Sequence, residues 1–184
     1  MIPLLLALAL AGDGAPLVGV SLDDFTQSTP ACDAAPPALP VLDFHAACFE
    51  AACVGMGLRD LEAVLGPAEC HRSGRVGEVY SCGFRDGTLT VHFEDEAAPS
   101  RAIFVRVPDA RDPSGLGLGV SARCFMDAFG ASTVSADVAY RDGWLLWTKV
   151  HFRSPRLIVS LDDAGRVTKI QLSGPSTAHR AGSE

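Results

Sequence analysis

With 184 residues, 48% hydrophobic and 20% charged, the chain has the composition of a globular protein rather than a disordered one, and a length for one ordinary domain or two small ones. Twenty-two acidic residues against 15 basic ones leave a formal charge of −7, and no run of Lys or Arg offers the positive stripe that phosphates require, which argues against nucleic acid as a partner. An acidic surface suits solubility, or contact with a basic patch on another protein.

The first segment, Met1 to Ala11 (MIPLLLALALA), is apolar and much shorter than the ~20 residues needed to span a bilayer. It reads as an export signal, with Ala9-Leu10-Ala11 as the small-x-small cleavage pattern, although no basic residue precedes the apolar run. A buried N-terminal strand or helix is the competing reading. Residues 12–40 are rich in Pro, Ala, Gly and Asp without sustained periodicity, which predicts a linker or a pinned arm. Residues 41–53 (VLDFHAACFEAAC) are compatible with a short helix.

Internal repetition is the informative feature. Gly55–Gly66 (GMGLRDLEAVLG) aligns with Gly119–Gly130 (GVSARCFMDAFG), and each reads as a short amphipathic helix between glycines. Leu61, Val64 and Leu65 match Phe125, Ala128 and Phe129 at helical spacing, and the closing glycines suit a left-handed helix stop. Phe84–Asp95 (FRDGTLTVHFED) then aligns with Phe152–Asp163 (FRSPRLIVSLDD) as a second matched pair. Both predict hairpins, turning at Asp86-Gly87 and Ser154-Pro155, with Leu89, Val91, Phe93 and Leu157, Val159, Leu161 on alternate positions. A last strand is expected at 102–107 and at 167–172. The second copy is longer before its hairpin, which predicts an extra turn around Tyr140–Trp147. The order in both halves is helix, strand, strand, strand: a first α+β repeat over 41–107, a linker over 108–118, a second repeat over 119–172 and a solvated tail over 173–184.

Gly55-Met56-Gly57, the short helix, Gly66, and Cys70 and Cys82 with eleven residues between them resemble the first repeat of the secreted β-lactamase inhibitory protein family. That family belongs to a wider group with the same small α+β unit, which includes outer-membrane lipoproteins of the barrel-assembly machinery. The resemblance covers roughly residues 53–172. It implies an α+β fold of two tandem helix-plus-antiparallel-sheet units, set side by side so that their sheets offer one curved, concave binding face. It also implies a Cys70–Cys82 disulfide. The family's second disulfide has no counterpart, since Cys124 falls inside the second helix with no later cysteine. The acidic, tyrosine-flanked loop that the family inhibitor presents is reduced to Arg85-Asp86-Gly87, so only Asp86 matches and β-lactamase inhibition is not carried over.

Strand alternation sorts the two sides of the sheets. Cys82, Phe84, Leu89, Val91, Phe93, Val150, Phe152, Leu157, Val159 and Leu161 are expected against the helices. The opposite side then carries Thr90, His92, Phe104 and Arg106 in one half, and Trp147, Lys149, His151, Ile158, Lys169 and Gln171 in the other. Aromatic and cationic groups of this kind anchor protein interfaces, which makes this side the candidate binding surface. The competing reading has Trp147 and Phe104 filling gaps between the sheets. Tyr140 and Trp144 flank Arg141-Asp142-Gly143, either as an exposed aromatic tip or buried between the repeats.

Six cysteines, Cys32, Cys48, Cys53, Cys70, Cys82 and Cys124, form an even set in a chain that reads as exported, so disulfides are expected. On a helix Cys48 and Cys53 would point apart, so Cys32 is expected to join one of them and Cys124 the other. A free Cys124 with His151 or His92 would supply a thiol and base, but no spacing signals such an enzyme. His45 and Cys48 alone do not complete a metal site. No catalytic residue, metal or cofactor is therefore assigned. The expected function is a secreted or periplasmic module that binds an extracytoplasmic protein, as an enzyme inhibitor in its sharpest form. A structural component of envelope assembly is the alternative.

Overall fold

The computed structural model describes residues 29–37, 39, 41–73, 79–130, 133–140, 144–153 and 156–174, with the backbone alone for 73, 133–140 and 144–148. The apolar leader, most of the arm and the tail therefore lie outside the described residues.

Among the described residues the protein is α+β, with two helices, a small sheet and a large one. The small sheet has three two-residue strands, β1 (Leu42–Asp43), β2 (Cys48–Phe49) and β3 (Ala52–Cys53). Helix α1 (Leu58–Leu65) leads into β4 (Glu69–Ser73), β5 (Val79–Phe84), β6 (Leu89–Phe93) and β7 (Ser100–Val105). Helix α2 (Ala122–Phe129) leads into β8 (Thr133–Tyr140), β9 (Trp144–Phe152), β10 (Leu157–Leu161) and β11 (Val167–Ser173).

The two runs of four strands do not make two sheets. They form one antiparallel sheet of eight strands, ordered β4-β5-β6-β7-β11-β10-β9-β8. This corrects the expectation of paired sheets, and the cause lies in the last strand of each run. Ala102–Val105 of β7 pairs antiparallel with Ile170–Ser173 of β11. Ile103, Val105, Ile170 and Leu172 are all buried, so pairing these two strands satisfies their backbone groups and joins their apolar sides into one surface. Each run also holds four strands rather than three.

Residues 41–53 are not helical. Ala47 (φ 55°) and Glu50 (φ 52°) take left-handed backbone angles that interrupt any helix, and Asp43 Oδ1 accepts from the N–H groups of His45 and Ala46 at 3.0 and 2.9 Å. Cys48 consequently faces Cys53 across β2 and β3, and the two are bonded to each other. The expectation that these two cysteines pair elsewhere is thereby overturned, because it assumed a helix. Cys32 is bonded to Cys124, which staples the arm directly to α2, and Cys70 is bonded to Cys82. Three disulfides are the covalent chemistry of an oxidising compartment. Among the described residues no helix is long and apolar enough to cross a membrane.

The helices end as their sequence indicates. Gly66 (φ 92°) and Gly130 (φ 66°) stop α1 and α2 with positive φ, each donating its N–H to the helix, to Glu62 O and Met126 O. Ser121 caps α2 by accepting from Arg123 N, and its hydroxyl donates to Pro30 O at 2.6 Å. The arm is held further by Asp33, which accepts from Ser121 N at 3.0 Å and pairs with Arg166 at 2.7 Å. These contacts hold the Asp33 carboxyl below its ordinary range, the Ser121 N–H contributing most.

One continuous core follows. Leu61 of α1, Phe125 and Met126 of α2, Phe44, Phe49 and Ala52 around the small sheet, and Leu116 and Leu118 of the inter-run segment pack with the apolar side of the large sheet. Every residue expected on that side, from Cys82 through Leu161, is buried. Helices, small sheet and arm thus share one side of the eight strands, and among the described residues no layer covers the other.

Candidate functional site

The exposed side of the large sheet is built by register. A first row runs Glu69, Gly83, Thr90, Phe104, Gln171, Ile158, His151 and Thr133 from β4 to β8. A second holds His71, Ser81, His92, Ala102 and Ser173. A third holds Lys169, Ser160, Lys149 and Ser135. Thr90, His92, Phe104, Ile158, Lys149, His151, Lys169 and Gln171 are all half-buried, packed by their neighbours on the sheet and open above.

Three of the expected residues meet at the centre. The His92 ring lies 4.3 Å from the Phe104 ring between centroids, and Lys169 Nζ sits 5.5 Å from the centre of the same phenyl ring. An aromatic face between an imidazole and an ammonium is a cation–π arrangement, with Gln171 beside Phe104 to donate or accept hydrogen bonds. Lys149 and His151 stand on the same side, both on β9, three strands away from Phe104. Arg106 lies just past β7, exposed, with its N–H on Thr88 O at 2.7 Å.

Asp86 stands apart from this group. It is exposed at the tip of the β5–β6 turn with φ 56°, and the neighbouring Arg85 anchors that turn to the small sheet through Glu50 at 2.6 Å. Trp147 pairs with Asp137 and Tyr140 with Trp144 in the β8–β9 hairpin, where an extra turn was expected; their side chains and residues 141–143 lie outside the described residues.

The thiol-and-base alternative is removed by geometry. Cys124 is disulfide-bonded and buried in the helical layer, whereas His92 and His151 are on the far side of the sheet. The sulfur of Cys48 is likewise committed, to Cys53 rather than to a metal with His45.

Reading the sequence alone left out His71, Ser81 and Ser160. Cys70 on the core side obliges His71 to the other, so the cysteine pair was the available signal for it. His71 matters electrically. Burial, Lys169 and His71 all push the His92 pKa below its ordinary value, burial most strongly. The folded state therefore favours neutral His92, and its contribution to stability is present above the ordinary histidine pKa and lost as pH falls through the lowered one. His92→Gln should flatten the decline in urea midpoint between about pH 7 and 5. An unchanged decline would show that His92 pays no such penalty.

Compared with protein-family models, with curated proteins and with solved structures, the chain matches none.

Proposed function

We propose that the protein is an exported binding module that grips another extracytoplasmic protein through the exposed side of its eight-stranded sheet, without catalysing a reaction. The observation that carries this reading is the division of the sheet. One side is sealed by the two described helices and the small sheet, while the other presents Phe104, His92, Lys169, Ile158 and His151 half-open to contact. Flat mixtures of aromatic, cationic and hydrogen-bonding groups suit protein recognition, and three disulfides suit an extracytoplasmic location.

The repeated order of helix then four strands, mirrored about the β7–β11 seam, supports reading the chain as two copies of one unit. The hairpin loops agree as well: Phe84 pairs with Leu89 and Phe152 with Leu157, leaving loops of equal length. That duplication favours the resemblance to the β-lactamase inhibitory proteins, and inhibition of an extracytoplasmic enzyme is the form of function it suggests.

Immobilised protein exposed to culture supernatant and periplasmic extract should retain a discrete partner. Phe104→Ala and Trp147→Ala should each weaken retention by about ten-fold or more, as loss of an interface anchor does. Val64→Ser, on the exposed surface of α1, should leave retention unchanged. Equal retention by all three variants would remove the sheet face from the reading.

A further inference from the structure

The two ends of the large sheet differ in chemistry. Among the described residues no strand pairs with the outer side of β4 or of β8. Every second residue of such an edge turns its N–H and C=O away from the sheet, which makes the edge a template for another strand. β4 has five residues, and Glu69, His71 and Arg72 are all exposed on it, the charged pattern by which edges are kept unpaired. β8 reads Thr-Val-Ser-Ala-Asp-Val-Ala-Tyr over eight residues, with no proline and one charged residue, Asp137. It is the longer edge and the less guarded one.

β8 also runs past its support. Strand β9 spans Trp144–Phe152, but β10 pairs with residues 148–152 alone. Residues 137–140 and 144–147 therefore form a two-stranded ribbon beyond the end of β10, in which Val138 pairs with Leu146 and Ala139 with Leu145. An isolated two-stranded ribbon is marginal in water, and this one is apolar along most of its length. The order of the strands does not require it, since the matching β4–β5 hairpin overshoots β6 by a single pair, Ser73 with Val79.

We propose that a second copy of this chain docks edge to edge along β8, joining two eight-stranded sheets about a two-fold axis at Ala136. The sequence of β8 is self-complementary in that register. Such an axis sets one residue opposite its own copy. Centred on Ala136, the pairing covers residues 133–139 of both chains, with Val134 opposite Val138 and Ser135 opposite Asp137. Centred on Asp137 it would set two carboxylates face to face, and centred on Ser135 or Val138 it shortens to five residues. The ribbon gains the support that it lacks within one copy. Residues 137–139 of each chain lie beside 133–135 of the other, where β9 and β10 continue the sheet. The inference does not depend on what the exposed side of the sheet binds.

Sedimentation equilibrium from about 1 to 500 μM should show a reversible monomer–dimer equilibrium. Ser135→Asp sets Asp opposite Asp twice across the axis and should weaken the dimer about ten-fold or more. Ser135→Asp/Asp137→Ser exchanges the two groups, recreates the Ser–Asp pairs at unchanged net charge, and should return the affinity to within about three-fold of the parent. Cross-linking reads the register separately. All six native cysteines are bonded in pairs, so an introduced thiol reports alone. Ala136→Cys should oxidise to a covalent dimer bridged at that position, because the two Cα atoms face each other at about 5 Å. Ser135→Cys and Asp137→Cys should not, because each is offset from its own copy by two residues, about 8 Å, beyond disulfide reach. This series decides the question even where Ser135→Asp fails to fold. A monomer at every concentration, a dimer indifferent to Ser135→Asp, a folded double variant that stays weak, or equal cross-linking at all three positions would each overturn the proposal. So would amides of β8 that resist hydrogen exchange equally in dilute monomer, which would assign the edge to a segment of the same chain.

Discussion

Replacing Cys32 by Ser together with Cys124 by Ala is expected to destabilise the protein more than removing either other bridge, by about 4–5 kcal/mol. The physical reason is chain entropy. This bridge closes a loop of sequence separation 92, against 12 for Cys70–Cys82 and 5 for Cys48–Cys53. In the chain-entropy account a loop of about 100 residues is worth ~4.7 kcal/mol and one of about 15 residues ~3 kcal/mol, with shorter loops worth less. The expected order of loss is therefore Cys32–Cys124, then Cys70–Cys82, then Cys48–Cys53. The arm retains the Ser121–Pro30, Ser121–Asp33 and Arg166–Asp33 contacts after the bridge is cut, which act in the folded state and leave the denatured chain free to expand. Urea unfolding of the three double variants, read as midpoint and slope together, measures the ladder. A Cys32/Cys124 variant no weaker than the Cys48/Cys53 one would mean that the arm is not tied into the cooperative unit.

Much of this arrangement is legible in residue order, and the parts that are not have identifiable causes. Leu89, Val91, Phe93, Leu157, Val159 and Leu161 alternate cleanly because each strand has one buried side, and all six are buried. The same alternation puts His92, Phe104, Lys149, His151 and Lys169 on the opposite side. Gly66 and Gly130 mark the helix ends because an L side chain is strained at their φ values. The small sheet leaves no such trace, since strands of two residues have no period to detect and Ala47 and Glu50 reverse the chain without glycine. That failure carried over to sulfur pairing, where a helical premise separated Cys48 from Cys53. Strand β4 (Glu-Cys-His-Arg-Ser) was missed because an outer strand buries little: its Cys70 is exposed and is tied to the buried Cys82 by a disulfide rather than by apolar packing. The joining of two four-strand runs into one sheet depends on which edges meet. Nothing local to β7 or β11 distinguishes an edge strand from a central one beyond their apolar content, so only the three-dimensional pairing shows it.

Phe125→Ala should be the most damaging single side-chain truncation in the aromatic cluster, costing about 3–5 kcal/mol, a large part of the stability of an ordinary domain. Its ring is fully buried and stands 5.6 Å from Phe44, 6.5 Å from Phe129 and 6.3 Å from Phe152, measured between centroids. Through it α2, the turn after β1 and strand β9 meet, so truncation opens a cavity walled by three separate elements that cannot all relax inward at once. Phe104→Ala removes the same group from the other side of the same sheet. There the ring is half-exposed, and the expected cost is about 1 kcal/mol or less, with no cavity to hold open. The contrast separates the two duties of the sheet, since one phenylalanine holds the helical layer on while the other is available to a partner. Calorimetry or urea unfolding of the two variants decides it: comparable losses would mean that the exposed side is itself packed against something, and the assignment of a free docking surface would fall with that result.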